Sequence, residues 1–555
     1  MSIADQLRSL IEGDVCDDTE TRHQYSRDTS IFKRIPAIVV FPKHEKDVAA
    51  VVKFVREERE AGADITITAR SAGTDMTGGD LTTSISMVFT KYMNHLGDIV
   101  PALEGREPLA TTEPGVYYRD FEKATLARAG ALLPSYPASR ELCAMGGIVN
   151  NNSGGELTLR YGKTENYIRA IDVVLSDGST ATLRPLNATE LEKKKREPTL
   201  EAAIYRQMEQ LIRENKDEIE KARPTVTKNS AGYALWNVID DAKGTFDLAR
   251  LVCGAQGTLA LMTRATLALV TPKEHKAMLI IFLSDFGSLP EIVSRVLAFS
   301  PESFESYDDK TFSLAIRFMP QMLKQMGIMQ AAQLGISFIP EIWMTLTGGI
   351  PKLVLMAEFA EDTQAAAEAK AQEAEAALQG LPVRTKIAHN QAQTAKYWKV
   401  RRESFALLRK NVKGLYAAPF IDDFSVHPKD YPSFLPELDA IVRGRSFIYT
   451  IAGHIGDGNF HIIPLTNMAD PKARAEIMEV MPQVFALVQK YGGSITGEHN
   501  DGIIRTPYLS YQFSPKMLEL FAKTKEIWDP AGVFNPGKKV GGTIADIERD
   551  MITSL

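Results

Sequence analysis

Two hydrophobic rhythms run along this chain, and the change between them falls near Pro272. Ahead of it, Ala37 to Phe41 (AIVVF) predicts a short strand, and Glu45 to Glu58 carries Val48, Val51, Val52 and Val55 at helical spacing. Ile65 to Thr68 and Ile85 to Phe89 predict further strands, and Tyr118 to Ala129 a helix. Ala170 to Leu175, the turn Ser176-Asp-Gly178, and Thr180 to Arg184 predict a hairpin. Three glycine-rich segments punctuate this half: Arg70 to Gly79, Ala144 to Gly155, and Gly254 to Leu259, which leads into strand-like residues up to Val270. Beyond Pro272, strands are expected at Ala277–Leu283, Ser303–Tyr307, Lys352–Phe359 and Val383–Ala388, and helices at Leu289–Phe299 and Asp362–Leu378. The order β-α-β-β-α-β suggests a ferredoxin-like layer. A further helix is expected over Ala473–Lys490.

The pattern predicts an α+β protein. One domain spans 1–272, a second 273–500 with a Met-rich insertion at 311–350, and a C-terminal segment 501–555 follows. A length of 555 residues also requires more than one hydrophobic core. A net charge of −6 argues against a nucleic-acid partner. Cys16, Cys143 and Cys253 are too scattered for a disulfide framework or a metal-ligand run, so a reducing, cytoplasmic setting is expected and any iron–sulfur relay must lie on another chain. The first 14 residues lack the apolar core of a signal peptide. The Met- and Ile-rich stretch Phe318 to Gly349 reads as a buried helical insertion; peripheral contact with the inner face of a membrane is the minority reading.

The chemistry sits in the glycine segments and in a histidine cluster. Arg70 to Gly79 lies between two strands, and its backbone N–H groups, with Ser71, Thr74 and Thr77, suit a diphosphate. It is neither a Rossmann fingerprint nor a P-loop. In the second segment glycines allow close backbone approach, while Asn150 and Ser153 offer hydrogen bonds to a polar heterocycle. Farther on, His454-Ile-Gly-Asp-Gly-Asn-Phe-His461 contains two glycines and is expected to bend, bringing its two imidazoles together. With Glu498 they make an open site for a divalent metal, zinc first, with manganese or iron as alternatives.

Taken jointly, these motifs resemble the vanillyl-alcohol-oxidase/p-cresol-methylhydroxylase superfamily, and the C-terminal set resembles its subgroup of D-lactate dehydrogenase, the glycolate oxidase FAD subunit and D-2-hydroxyglutarate dehydrogenase. The residues carrying the resemblance are Pro36 to Pro42, Arg70 to Gly79, Pro137-Ala-Ser139, Gly146 to Gly155, Gly254 to Gly257, His454 to His461, Gly497-Glu-His499 and Asp529 to Lys538. The resemblance implies a two-subdomain PCMH-type FAD-binding domain with a ferredoxin-like substrate (cap) domain. FAD would contact Arg70, Ser71, Ala72, Gly73, Thr74, Asp75, Met76 and Thr77 from the first loop. The second would add Pro137, Ser139, Gly146, Gly147, Asn150, Ser153, Gly154 and Gly155, and the third Gln256 and Gly257. Asn535 would come from the C-terminal segment as it returns to the FAD domain.

The resemblance further implies metal ligation by His454, His461 and Glu498, a base at His499, a substrate contact at Asn459 and carboxylate binding by Arg401 in Trp398-Lys-Val-Arg401. A near-neutral imidazole suits the base. The implied reaction is oxidation of a small 2-hydroxy acid by hydride transfer to the flavin, with electrons passed to a quinone, a cytochrome, a flavoprotein or a separate iron–sulfur subunit. A homodimer is one assembly to test. Dicarboxylate-oxidising members carry a Thr four residues after the arginine and a Lys farther on; here stand Phe405 and Phe420-Ile421-Asp422-Asp423. That departure favours a D-lactate- or glycolate-like substrate. The alternatives are an oxidase of the same fold acting on an alcohol or phenol, and a flavin-carrying subunit of an iron–sulfur complex.

Overall fold

In a computed structural model describing residues 2–309, 311, 350–390, 393–395, 397–402 and 414–554, three sheets carry the elements that matter for the site. The first orders Asp14–Cys16, Ile38–Phe41, Ile85–Val88 and Ile67–Arg70 side by side, the last three parallel. Parallel strands are covered on both faces and so read as unbroken apolar runs; Ile38–Phe41 and Ile85–Val88 are buried at every position. Helix Glu45–Glu60 makes the crossover and buries Val48, Val51, Val52 and Val55. The following strand lies two residues beyond its predicted place, at Ile67–Arg70. The loop that begins at Arg70 therefore leaves the carboxyl end of a parallel strand, where open parallel sheets bind ligands.

The second sheet is antiparallel, in the order Leu96–Val100, Leu109–Thr112, Leu261–Ala268, Ile168–Val174 and Thr180–Leu183. Beside it the Gly/Asn-rich segment departs from its expected irregularity: Met145–Asn150 is a short helix. Tertiary hydrogen bonds from Met145 N to Val116 O and from Gly146 N to Pro114 O hold its first turn, and such contacts override the poor helix propensity of two glycines.

The third sheet begins with the ferredoxin-like order Val383–Ala388, His275–Leu283, Leu353–Glu361, Ser303–Asp308. It does not stop at four strands. Ile451–His454, Asn459–Ile462 and Phe424–Ser425 extend it to seven, all antiparallel. Helix Gln364–Ala376 packs against one face through the fully buried Ala367, Ala371 and Ala374. On the opposite face Met278, Ile280, Tyr307 and Met356 cluster with Tyr397, Trp398 and Val400. The Met-rich stretch Phe318 to Gly349, with its expected surface contacts, and Phe405 lie outside the described residues. Among the described residues no helix is long and apolar enough to cross a membrane.

The C-terminal segment meets the first sheet. Ile67 N donates to Val533 O, and Asn535 N donates to Ile67 O, adding a parallel bridge at the sheet's edge. A fully buried ion pair, Lys539 Nζ to Asp501 Oδ2 at 3.0 Å, ties down the end of that segment, and the same ammonium donates to Ser230 O and Gly232 O. Removing one partner of such a pair leaves an uncompensated buried charge. Lys539→Met is therefore expected to destabilise the protein by about 3–5 kcal/mol, measured as a lower thermal unfolding midpoint.

Candidate active site

Loops from the two N-terminal sheets and one face of the third sheet enclose a cavity of about 700 Å³, within the size range of cofactor and ligand sites. From the first loop Arg70 through Met76 line it. Among the described residues no protein acceptor takes the N–H groups of Ala72, Gly73 or Thr74, which leaves a nest for an anion. Asp75 also has a structural duty. Its carboxylate accepts from Thr77 N, Thr77 Oγ1, Gly79 N and Asn151 Nδ2 and so shapes its own loop. Arg70 likewise turns to Asp80 Oδ2 at 3.2 Å and donates to Arg27 O.

Pro137, Ser139, Gly146, Gly147, Asn150, Ser153, Gly154, Gln256 and Gly257 also line the cavity. Three residues expected to touch FAD do not line the cavity. Thr77 is fully buried behind the loop, Gly155 lies against Tyr136 O, and Asn535 clamps two loops together. Asn535 Nδ2 donates to Gly79 O and Gln256 O at 2.9 and 2.7 Å, and its Oδ1 accepts from Thr68 Oγ1. The tight apposition of the first two loops fits a flat, diphosphate-bearing cofactor: a Cβ on Gly146 would lie 2.4 Å from Ser71 Oγ and 2.9 Å from Pro114 O.

Opposite these loops stand the histidines. The segment 454–461 is a β-hairpin rather than an irregular bend. Strands Ile451–His454 and Asn459–Ile462 pair Ala452 with His461 and His454 with Asn459, and Gly458 takes a left-handed φ of 71° between them. Side chains two residues apart share a face, so His454 and His461 are diagonal neighbours, with ring centroids 5.2 Å apart. Glu498 completes the group. His454 Nε2 lies 3.4 Å from its Oε1, and His461 Nε2 lies 3.8 Å from its Oε2. Ligand atoms of all three fall within 4.8 Å of one another. Two imidazole nitrogens and a carboxylate oxygen suit a divalent cation with an open position.

The other ring nitrogens each lie against a carboxylate. His454 Nδ1 contacts Glu305 Oε1 at 2.5 Å, His461 Nδ1 contacts Asp422 Oδ1 at 3.0 Å, and His499 Nδ1 lies 2.9 Å from Asp422 Oδ2. Carboxylates behind metal-binding imidazoles fix tautomer and ring orientation. Asp423 holds the backbone: its carboxylate accepts from Glu498 N, His499 N, Thr496 Oγ1 and Asn459 Nδ2. Asn459 is thus fully buried and does not line the cavity, contrary to the expected substrate contact. Its amide also donates to Phe424 O. Arg401 does line the cavity; Nη2 is 3.2 Å from Glu305 Oε2, and its buried Nε has no partner among the described residues.

Burial works against charge on His499, but the Asp423 and Asp422 carboxylates push it up to about 9. His454 is likewise pushed up to about 9, burial opposing and Glu305 prevailing. The expected near-neutral base is corrected to an imidazole in an acidic surround, whose affinity for a proton a neighbouring cation would lower. Glu305, Asp422, Asp423 and the buried Lys228 are the residues that motif reading missed. Asp422 and Asp423 stood out only as a departure from a pattern, and Glu305 only as an acid inside a predicted strand.

The sequence matches two protein families: the FAD binding domain over residues 36–184, and the FAD linked oxidases, C-terminal domain, over residues 272–539. The chain thus carries both an FAD-binding domain and the C-terminal domain of FAD-linked oxidases. It is 27% identical over 534 residues to a D-2-hydroxyglutarate dehydrogenase of Pantoea ananatis (strain AJ13355), covering 95% of this chain and 50% of that protein. A D-2-hydroxyglutarate dehydrogenase of Stutzerimonas stutzeri (strain A1501) is also 27% identical, over 97% of this chain and 98% of its own length. The chain thus spans about half the length of the first of these relatives. The fold is shared with 4-ethylphenol oxidase from Gulosibacter chungangensis, at a TM-score of 0.67 and 16% identity over 98% of this chain and 97% of that one.

Because Gly146 sits where no Cβ fits, Gly146→Ala is expected to force the two loops apart and lower the FAD retained on purification, measured as visible flavin absorbance per chain.

Proposed function

We propose that this chain is an FAD-dependent dehydrogenase that oxidises a 2-hydroxy acid to the 2-oxo acid, with a divalent cation, zinc before manganese or iron, at His454, His461 and Glu498. One observation carries this reading: three metal-type donors, an imidazole lying against a carboxylate and an arginine whose Nε has no partner among the described residues share a cavity with the flavin loops. The names of the relatives, D-2-hydroxyglutarate dehydrogenases, support a hydroxy acid as substrate.

Arg401 binds the substrate carboxylate, for which its planar fork of donors is suited. His499, with Nδ1 turned to Asp422, keeps Nε2 for the hydroxyl proton, and Asp422 stabilises the imidazolium that results. When bound, FAD supplies the hydride acceptor and a divalent ion supplies Lewis acidity. Asp423 keeps Glu498 and His499 at a fixed separation through their own N–H groups. Ala417, Pro419 and Ile463 give the cavity an apolar wall, which favours a D-lactate- or glycolate-like side chain. A second reading, a dicarboxylate, is favoured by the names of the relatives; Arg140 and Arg402 reach the same cavity, paired with Glu122 and Glu156. Electrons pass to a separate acceptor, as the dehydrogenase names of the relatives support.

The test is anaerobic titration of the purified flavoprotein with glycolate, D- and L-lactate and D-2-hydroxyglutarate, alongside elemental analysis. Bleaching by at least one of them and about one divalent ion per flavin are expected; neither bleaching nor metal would end the reading. His499→Ala should keep its FAD and lose bleaching rate by about 10²–10⁴-fold. A carboxylate beside an imidazole favours its charged form, so Asp422→Asn lowers the pKa of His499. The rising limb of kcat/KM should then move to lower pH by about one unit or more.

A further inference from the structure

We propose that Lys228 is the positioning residue that holds Glu498 for the divalent cation; the proposal rests on the cation reading above. Lys228 is fully buried. Its ammonium lies 2.5 Å from Glu498 Oε1 and 3.3 Å from Asp457 Oδ2, and donates to Gly155 O at 3.3 Å. One side chain therefore touches the carboxylate of the candidate ligand set, the turn of the histidine hairpin and the end of the second flavin loop.

The backbone around Lys228 is pinned on both sides. Thr227 Oγ1 donates to Asp457 O, Ser230 N donates to Thr496 O, and Ser230 Oγ donates to Gly497 O. Asn229 Oδ1 accepts from Ser494 Oγ and Gln512 Nε2. The ammonium is thus delivered to a fixed point. A carboxylate with one oxygen committed to a rigid donor presents the other in a set direction, and Oε2 is the oxygen nearer His461. The same bond disfavours two-oxygen coordination, which keeps a position open for substrate. A buried ion pair that only held the fold together would not need to engage a candidate ligand.

The experiment uses the full chain loaded with FAD, stripped of metal by a chelator and titrated calorimetrically with zinc chloride. Lys228→Met is expected to weaken zinc binding about 10–100-fold, the usual effect of losing an outer-shell partner, with FAD per chain unchanged. Asp457→Asn leaves Lys228 on Glu498 and should bind zinc as the wild type does. If Lys228→Met alone fails to fold because Asp457 is left unpaired, the double variant Lys228→Met/Asp457→Asn removes that charge and carries the same expected loss. Wild-type zinc affinity in a Lys228→Met variant, or a loss that merely tracks lost FAD, overturns the proposal. Absence of zinc binding in the wild type would instead reject the cation reading.

Discussion

Carboxylates taken out of water must be given partners, and five of them lie in and behind this site. Glu305, Asp422, Asp423, Asp457 and Glu498 are all buried. An isolated ionised carboxylate in such surroundings is prohibitively costly, whereas one that is paired and hydrogen-bonded is tolerated. Each is accordingly committed: Glu305 to His454 and Arg401, Asp422 to His461 and His499, Asp423 to four N–H and O–H donors, and Asp457 and Glu498 to Lys228. The geometry of the site follows from that satisfaction. A histidine whose Nδ1 is taken by a carboxylate has only Nε2 left to offer, so the tautomer and the ring plane are set together.

Strand register does the rest. In an antiparallel hairpin, side chains on one face recur every second residue. The pairing of Ala452 with His461 places His461 on the face of His454, and the neighbouring pairings of Ser306 with Gly453 and Tyr307 with Ala452 bring Glu305 opposite His454 on the adjacent strand. Gly458 makes the tight turn available: its φ is positive, and a Cβ there would come within 1.9 Å of Val426 O. A slip of one residue would send both imidazoles to the opposite face. The added strands beyond the four-stranded ferredoxin-like layer thus extend the sheet to where the chemistry is needed.

These facts separate what was legible in the sequence from what was not. Helix Tyr118–Ala129 and the hairpin around Ser176-Asp-Gly178 have local causes, apolar spacing and turn residues, and both stand where they were expected. His454, His461, Glu498 and His499 were visible because glycines and histidines recur at short spacing, and they do meet around one cavity. Glu305 was not, because its role is created by pairing with a strand almost 150 residues away, and nothing local marks it. Lys228 was hidden for the same reason: a lysine between Thr227 and Asn229 reads as surface until burial is known. Asn459 and Asn535 depart in the opposite sense. Each looks like a polar ligand, but neither lines the cavity, and the Nδ2 of each holds other chain segments in place. Long-range satisfaction of polar groups is decided by tertiary structure and leaves no periodic trace.

The two halves of the site use different chemistry for different ends. The cofactor side relies on backbone N–H groups and on glycines that admit close approach, as at Gly146, so many side-chain changes there are tolerated provided the loops keep their shape. The opposite side relies on side chains standing on one sheet face, where exchanging a single residue changes the donor set. A structure only 16% identical shares the fold across nearly the whole chain. In this chain the side opposite the cofactor is a sheet face bearing His454 and His461, with Arg401 on the helical segment packed against it. The joint between the halves is narrow: Gly154 lies where a Cβ would come within 3.5 Å of Glu498 Oε1, and the next residue's carbonyl accepts from Lys228. Under the function proposed above, selectivity is read across that joint, from residues that touch the flavin loops and the donor set together.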